Sequence, residues 1–266
     1  MKYSQLSDLR DFTEGLVRKA GQILLDRQKD ARIVKYKDIQ DIATSADYAS
    51  EKFIIDSIRK KYPDHSIHSE EKGDIGGKSD FRWIIDPLDG TKEFLRDIPL
   101  FNVSVALEYK GELVVSALFR PNENVLYSAE KGLGSFKNGN KILVSGIKSL
   151  EKSFVYCYLP SFHRQPEKYE WAFEKLKEIG KKVYRLRALA DENTALCWLA
   201  QGGIEAYLNL SNPPKWHDIA TGLLIAGQAG AVIKDAQGND IQNGNVGSLV
   251  VANNEFVYNE IVKIIK

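Results

Sequence analysis

The chain has 266 residues, of which 43% are hydrophobic and 27% charged, and its formal net charge at pH 7 is +1. This composition excludes a disordered chain, a collagen and a coiled coil. The balanced charge gives no overall attraction to nucleic acid or to an anionic membrane, and two cysteines make no disulfide framework. The sequence shows no secretory leader and no apolar run of about 18 residues. We therefore expect a cytoplasmic protein with neither a membrane anchor nor a nucleic-acid partner.

The first half of the chain combines helical spacing with short β-rich runs. In the first thirty residues apolar side chains recur every three or four positions, which predicts a helix lined by Leu9, Phe12, Leu16, Ala20 and Ile23. We predict a second helix from Thr44 to Tyr62 and strands at residues 82–86, 103–107, 114–119 and 125–129. Residues 1–147 are thus expected to form an N-terminal α+β lobe with an antiparallel sheet.

Strands and helices alternate in the second half, which indicates a C-terminal α/β lobe over residues 148–266. We predict strands at residues 154–159, 183–186 and 204–208, and helices at residues 167–179, 194–200, 218–229 and 256–265. Gly180 follows the first of these helices, and we expect it to end that helix in the left-handed conformation.

Residues suited to binding a metal or a phosphate are concentrated in the segment from Asp86 to Thr91. An apolar strand ends at Asp86, and Pro87 cannot donate to a ladder, so we expect the chain to leave the sheet there. Gly90 permits a tight turn into a helix, which places two carboxylates, Asp86 and Asp89, on a strand-to-helix turn. Such a turn suits a phosphate and Mg²⁺, which prefers oxygen ligands. The alternative is an ordinary turn followed by a helix cap.

Three further clusters carry acidic residues. Glu70 and Glu71 follow a short β-like stretch, and since adjacent strand residues face opposite sides, we expect only one to point at a shared metal. The alternative is a solvated acidic loop. Asp218 opens a helix, either as a ligand or as a plain N-cap. Thr44 and Asp47 match a capping box, and in the functional interpretation Asp47 accepts a hydrogen bond from a hydroxyl of the site.

Taken together and in order, these segments resemble the inositol monophosphatase superfamily of Mg²⁺-dependent, Li⁺-sensitive phosphomonoesterases. The resemblance covers nearly the whole chain and is carried by residues 41–47, 69–71, 83–94, 132–139, 218–222 and 226–231. The superfamily also contains bisphosphate nucleotidases and some fructose-1,6-bisphosphatases. The resemblance implies a layered αβαβα sandwich, a small phosphorylated substrate, two to three Mg²⁺ ions and a homodimer.

The same resemblance implies roles for individual residues. The first metal would be held by Glu70, Asp86 and the carbonyl of Leu88, and the second by Asp86, Asp89 and Asp218. Glu71 would support a weaker third ion through water. The catalytic residues would be Thr91, Asp47 and Glu70. Thr91 would polarise the attacking water, and Asp47 would orient Thr91. The phosphate would be bound by the amides of Gly90 and Thr91. Because Mg²⁺ favours oxygen, we predict surface or packing roles for His65, His163 and His217.

The substrate is less sharply indicated. Lys92 and Glu93 resemble the bisphosphate nucleotidase branch, whereas residues 98–105 resemble the inositol monophosphatase branch. Residues 190–193 replace the small-residue run common in the family, and we predict sugar-hydroxyl contacts from Asp191, Glu192 and Asn209. Lys215 would instead favour a second phosphate. Inositol 1-phosphate is the leading predicted substrate. The alternatives are adenosine 3′,5′-bisphosphate, fructose 1,6-bisphosphate, or a non-catalytic relative that binds metal or phosphate.

Overall fold

The structure is a computed structural model that describes residues 3–38, 41–189, 191–210, 213–241 and 246–266. The chain contains two compact units, Met1–Asn140 and Lys141–Lys266, whereas the sequence prediction placed the lobe boundary between residues 147 and 148. Among the described residues, every helix is too short or too polar to cross a membrane.

Helices and strands alternate irregularly along the described chain. The helices are α1 (Tyr3–Arg27), α2 (Ser45–Lys61), α3 (Thr91–Phe94), α4 (Pro166–Gly180), α5 (Glu192–Ala200), α6 (Trp216–Gln228) and α7 (Glu255–Ile265). The strands of the first unit are β1 (Ile33–Tyr36), β2 (Ile42–Thr44), β3 (Ser66–Ser69), β4 (Gly73–Ile75), β5 (Phe81–Asp89), β6 (Asn102–Tyr109), β7 (Glu112–Arg120), β8 (Val125–Glu130), β9 (Gly134–Lys137) and β10 (Asn140–Ile142), whose last residues pass the unit boundary. Those of the second unit are β11 (Phe154–Cys157), β12 (Arg185–Ala188), β13 (Ala206–Asn209), β14 (Val232–Lys234) and β15 (Leu249–Ala252).

The first unit is built on an eight-stranded sheet in the order β10-β9-β8-β7-β6-β5-β3-β4. Its central pairs are antiparallel, as predicted, but β3 and β5 run parallel. Helices α1 and α2 pack together on the sheet. The apolar faces meet in one core that includes Leu16, Ile54, Ile58, Trp83 and Val105. This packing fixes α2 beside the strands that lead into the acidic clusters.

The second unit has a five-stranded mixed sheet in the order β12-β11-β13-β15-β14. Strand β11 pairs in parallel with β12 and β13, while β15 pairs antiparallel with β13 and β14. Helices α4 and α7 cover one face through a core that contains Leu176, Leu208 and Ile261. Helix α5 contacts β13 from the other face, where Asn209 meets Glu192. The predicted layering of helices and mixed sheets is confirmed.

Two local predictions are wrong. The chain does not leave the sheet at Pro87, because β5 continues to Asp89 with a register shift against β6 between Asp86 and Asp89. A bulge leaves a residue unpaired, so a proline without an N–H is tolerated there. Nor does Gly180 adopt the left-handed conformation. It lies within α4, and Lys181 ends the helix at φ −72°, because the amide of Lys181 still bonds to the helix carbonyl of Lys177.

Strand boundaries in the second unit also differ from the prediction. The strand expected at residues 183–186 is found at Arg185–Ala188, because the backbone of Tyr184 is used to bond Ser153 at the start of that strand pair. Strands β14 and β15 were not predicted. Both are short runs of three and four residues. The pairing of β15 with the distant β13, and of β14 with β15, sets them in the sheet.

Candidate active site

The turn that follows the buried part of β5 holds the central motif in a compact shape. Asp86 is buried, and its Oδ1 accepts a hydrogen bond of 3.2 Å from the amide of Leu88. Gly90 adopts φ 86°, and a Cβ at this position would lie 2.4 Å from the carbonyl oxygen of Leu100. Only glycine fits this conformation and this close approach. The strand thus turns sharply into α3, which starts at Thr91.

Thr91 connects this turn to helix α2. Its hydroxyl oxygen lies 3.2 Å from Asp47 Oδ1 and 3.0 Å from the carbonyl oxygen of Leu88, so its single proton has two alternative acceptors. Asp47 Oδ2 accepts hydrogen bonds from the amide and the hydroxyl of Thr44, at 2.9 and 2.5 Å. The expected capping box is therefore confirmed, as is a hydroxyl donor to Asp47.

The environment of Asp47 changes its acidity. Burial and, to a smaller extent, the negative charge of Glu70 outweigh the opposing hydrogen bonds from Thr44, and together these effects raise the pKa of Asp47 to about 6. An ionised carboxylate in this position accepts a hydrogen bond from the Thr91 hydroxyl more strongly than a protonated carboxyl does. The functional state of this pair is therefore favoured above the pKa of Asp47.

Glu70 and Glu71 lie in a turn directly after β3, and both contact the same ammonium group. Lys37 Nζ lies 2.7 Å from Glu70 Oε1 and also contacts Glu71 Oε1. The prediction that the two glutamates face opposite sides is wrong, because side chains alternate along a strand but not in the turn beyond it. Lys37 was missed, since nothing in its local sequence separates it from a solvated lysine.

Charge and burial act in opposite directions on this trio. Burial, with a smaller contribution from the charge of Glu70, outweighs the lowering by Lys37, and the pKa of Glu71 is raised to about 7. Burial alone would lower the pKa of Lys37, but the two carboxylates raise it above its usual range. The two glutamates thus form a negatively charged site that a cation stabilises. In the structure the ammonium group of Lys37 is that cation.

The donor set of the first unit fits a hard cation in its chemistry. Asp86, Asp89, Glu70 and Glu71 offer carboxylate oxygens and Leu88 a carbonyl, which are the ligand types that Mg²⁺ prefers. Asp89 Oδ2 also accepts a hydrogen bond of 3.2 Å from the Asn102 amide. Within the described ranges, no three His, Cys, Asp or Glu side chains are close enough together to hold a metal ion.

Asp218 and Lys215 lie at the start of α6 in the second unit. Asp218 is the third residue of α6, and its Oδ2 accepts a hydrogen bond of 3.0 Å from the amide of Lys215. Its Oδ1 lies 3.3 Å from Nε2 of the buried His217. The side chain of Lys215 is exposed. The structure therefore gives Asp218 the geometry of an acidic helix start.

The predicted substrate-facing residues are buried around the start of α5. Asp191 is the N-cap of α5, because its Oδ1 accepts a hydrogen bond of 2.8 Å from the amide of Thr194. Asn209 Nδ2 donates to Glu192 Oε1 at 3.3 Å. Burial raises the pKa of Glu192 well above its usual value, and the charge of Asp218 raises it further. Ala190, in the same stretch, lies outside the described residues.

The predicted packing role of one histidine is clear. The ring of His65 stacks between those of Tyr62 and Phe81, with centroids 4.8 and 4.6 Å away, and its Nδ1 accepts a hydrogen bond of 3.1 Å from Trp83 Nε1. Burial lowers the pKa of His65, which favours the neutral ring that this acceptor role requires.

Comparison with curated relatives gives long alignments. The chain is 34% identical over 234 residues to a Nus factor SuhB of Vibrio cholerae serotype O1, covering 86% of each chain. It is 33% identical over 236 residues to an inositol-1-monophosphatase of Mesorhizobium japonicum, covering 88% of this chain and 86% of the relative. Two relatives that are almost equally similar to this chain therefore carry different names, one of a Nus factor and one of a phosphatase.

Solved structures share the fold. The extragenic suppressor protein suhB of Bartonella henselae matches with a TM-score of 0.89 at 26% identity, covering 97% of this chain and 98% of that one. The Thermotoga maritima IMPase matches with a TM-score of 0.86 at 30% identity, covering 97% and 96%. The model of the inositol monophosphatase family matches residues 5–266, and the chain belongs to that family.

Proposed function

We propose that this protein is a Mg²⁺-dependent phosphomonoesterase that hydrolyses a small sugar or polyol phosphate, with inositol 1-phosphate as the leading substrate. The observation that carries the proposal is the Thr91–Asp47 hydrogen bond, made inside a turn that also holds Asp86 and Asp89. This arrangement places a hydroxyl, held by Asp47 and the Leu88 carbonyl, next to carboxylate oxygens, where it can help to position a water that attacks a phosphate.

The metal ligands are proposed on the family resemblance. The first Mg²⁺ would be held by Glu70, Asp86 and the Leu88 carbonyl, the second by Asp86, Asp89 and Asp218, and a third more weakly through Glu71. When bound, two such ions lower the pKa of water and stabilise both the attacking and the leaving oxygen of a displacement. Lys37 would then leave the two glutamates, because the positive charge of the bound ions would replace that of its ammonium group.

The residues of the chain would orient the reactants. Ionised Asp47 accepts the proton of Thr91, which leaves a lone pair of the hydroxyl free to accept a hydrogen bond from the attacking water. The amides of Gly90 and Thr91 stand at the start of α3, where intrahelical acceptors are lacking, and would donate to the phosphate oxygens. Positioning and charge neutralisation supply most of the catalysis in phosphoryl transfer.

The preference for a polyol phosphate rests on the acidic group at the start of α5. Asp191, Glu192 and Asn209 offer acceptors for hydroxyls, and the acidic Asp191 and Glu192 would repel a second phosphate. The exposed Lys215 argues for the runner-up, adenosine 3′,5′-bisphosphate, with fructose 1,6-bisphosphate as a further candidate. A homodimer and the absence of a nucleic-acid partner stay predictions, and the SuhB relatives, which are named Nus factors, keep a non-catalytic role open.

The test is phosphate release in the presence of Mg²⁺ from inositol 1-phosphate, adenosine 3′,5′-bisphosphate, fructose 1,6-bisphosphate and 2′-AMP. The matched control is Asp89→Asn, which keeps the shape and an acceptor for Asn102 but removes the charge. We expect inositol 1-phosphate to lead and the variant to lose about a thousandfold in rate. Turnover of the nucleotide alone would reverse the substrate order, and a folded wild-type protein inactive on all four esters would contradict the proposal.

A further inference from the structure

One face of helix α2 contacts each of the acidic segments of the first unit. Ser50 and Glu51 follow Asp47 by three and four residues, which places all three on the same side of the helix. Asp47 holds Thr91, and the Ser50 hydroxyl donates a hydrogen bond of 2.8 Å to the carbonyl of Pro87 inside the bulge of β5. Glu51, the third member, belongs to no role assigned so far.

Glu51 binds the turn that carries the two glutamates, and it does so from both sides. Its Oε1 accepts a hydrogen bond of 2.6 Å from the Ser69 hydroxyl and one of 3.0 Å from the backbone amide of Lys72. Ser69 directly precedes Glu70, and Lys72 directly follows Glu71. One carboxylate oxygen on a packed helix therefore fixes both ends of the acidic pair.

A purely structural role explains this residue poorly. Glu51 is fully buried, and its second oxygen, Oε2, has no hydrogen-bond partner among the described residues. A buried carboxylate oxygen without a partner destabilises a fold, and a neutral glutamine would accept the same two hydrogen bonds at lower cost. A function that requires the turn to be held firmly, and the charge to be kept near it, accounts for the glutamate.

We propose that Glu51 is a positioning residue that holds the Glu70–Glu71 turn in the shape needed to bind a divalent cation. This inference rests on the proposed function in that it takes the two glutamates as ligands. Residues that orient metal ligands from outside commonly change metal affinity by about 10- to 100-fold when they are removed. Glu51 touches no reacting atom, so its removal would weaken cation binding much more than it lowers the rate at saturating Mg²⁺.

The test titrates the purified full-length protein with Mn²⁺, followed by electron paramagnetic resonance, with Mg²⁺ as competitor. Glu51→Leu removes both acceptors and should weaken Mn²⁺ binding about tenfold. Ser69→Ala removes one hydrogen bond and should weaken it about threefold. Glu51→Gln keeps the acceptor but loses the charge, so it should recover part, but not all, of the affinity that Glu51→Leu loses. The rate of phosphate release at saturating Mg²⁺ should fall less than the affinity in each variant.

Glu130→Leu is the matched control, because Glu130 is also a buried glutamate that accepts from a serine, Ser7, but it touches none of the acidic segments. An equal loss of Mn²⁺ affinity in this control, or wild-type affinity in both Glu51→Leu and Ser69→Ala, would overturn the proposal. If Glu51→Leu does not fold, Ser69→Ala alone decides. Wild type that binds Mn²⁺ but hydrolyses no ester would contradict the proposed function and leave the role of Glu51 standing, whereas wild type that binds no Mn²⁺ would overturn that role.

Discussion

The acidic site residues of the first unit and the helix-start residues Asp191 and Asp218 of the second unit are held by different kinds of contact. In the first unit the contacts join segments far apart in the chain, as between Asp47 and Thr91 or between Lys37 and Glu70. In the second unit Asp191 bonds the amide of a residue three positions away, and Asp218 does the same. The first group therefore depends on how α2 packs against the sheet, whereas the second depends mainly on local helix starts.

Breaking the Thr91–Asp47 contact should have the largest effect within this comparison. Thr91→Val removes the hydroxyl while it keeps the branched shape, and we expect the rate of phosphate release to fall about a hundredfold. Thr91→Ser keeps the hydroxyl and should retain most of the rate. Both variants should show melting temperatures close to wild type. A Val variant with wild-type rate would remove Thr91 from the mechanism.

The same contact predicts a pH dependence. The pKa of Asp47 is raised from its ordinary value of 3.8 to about 6, so the native protein binds a proton more readily than the unfolded chain. Activity should fall as the pH drops through about 6, by up to about tenfold per unit, because protonated Asp47 accepts a hydrogen bond from the Thr91 hydroxyl less strongly than the carboxylate does. This carboxyl's contribution to stability changes in the opposite direction.

Because the native pKa lies above the unfolded one, protonation favours the folded state. The destabilisation from Asp47 is therefore fully present above about pH 6 and is relieved as the pH falls towards 3.8. The rate profile is measured with Mg²⁺ at saturation, and melting of the metal-free wild type is compared with that of Asp47→Asn between pH 4 and 7. Identical pH profiles of melting in the two proteins would contradict the raised pKa.

A local contact of the second unit should give the smallest effect. Asp191→Ala removes the N-cap of α5 and should lower the free energy of unfolding by about 1 kcal/mol. Asp191→Asn keeps an acceptor for the Thr194 amide and should be nearly neutral in stability. Asn254→Ala, which removes the N-cap of α7 together with a hydrogen bond to the carbonyl of Ile147, serves as the control for a lost cap at another helix. Denaturant unfolding measures all three.

Kinetics of the same variants separate capping from substrate recognition. If Asp191 also contacts the substrate, Asp191→Asn should raise KM while stability stays unchanged, whereas Asn254→Ala should leave KM at the wild-type value. An unchanged KM in Asp191→Asn would reduce Asp191 to its capping role, and Glu192 and Asn209 would then remain as the predicted hydroxyl contacts.

A site residue could be predicted from the sequence when its contacts lie close to it along the chain, and was missed when they do not. The capping box of Thr44 and Asp47 spans three residues, and its pattern predicted both the start of α2 and the acceptor role of Asp47. The opposed directions of Glu70 and Glu71 were predicted wrongly, because strand alternation was extended past Ser69, where β3 ends. The continuation of β5 through Pro87 was missed because a bulge depends on pairing with β6.

The sequence by itself determined the family, the alternation of helices and strands, and the positions of the acidic motifs, because these depend on periodicity and on short local patterns. Only the tertiary structure decided that Lys37 lies between the two glutamates and that Glu51 holds both ends of their turn. These contacts join residues 18 to 34 positions apart. Such pairs meet because α2 buries its apolar face on the sheet, and the energy of that burial is shared among many residues of the core.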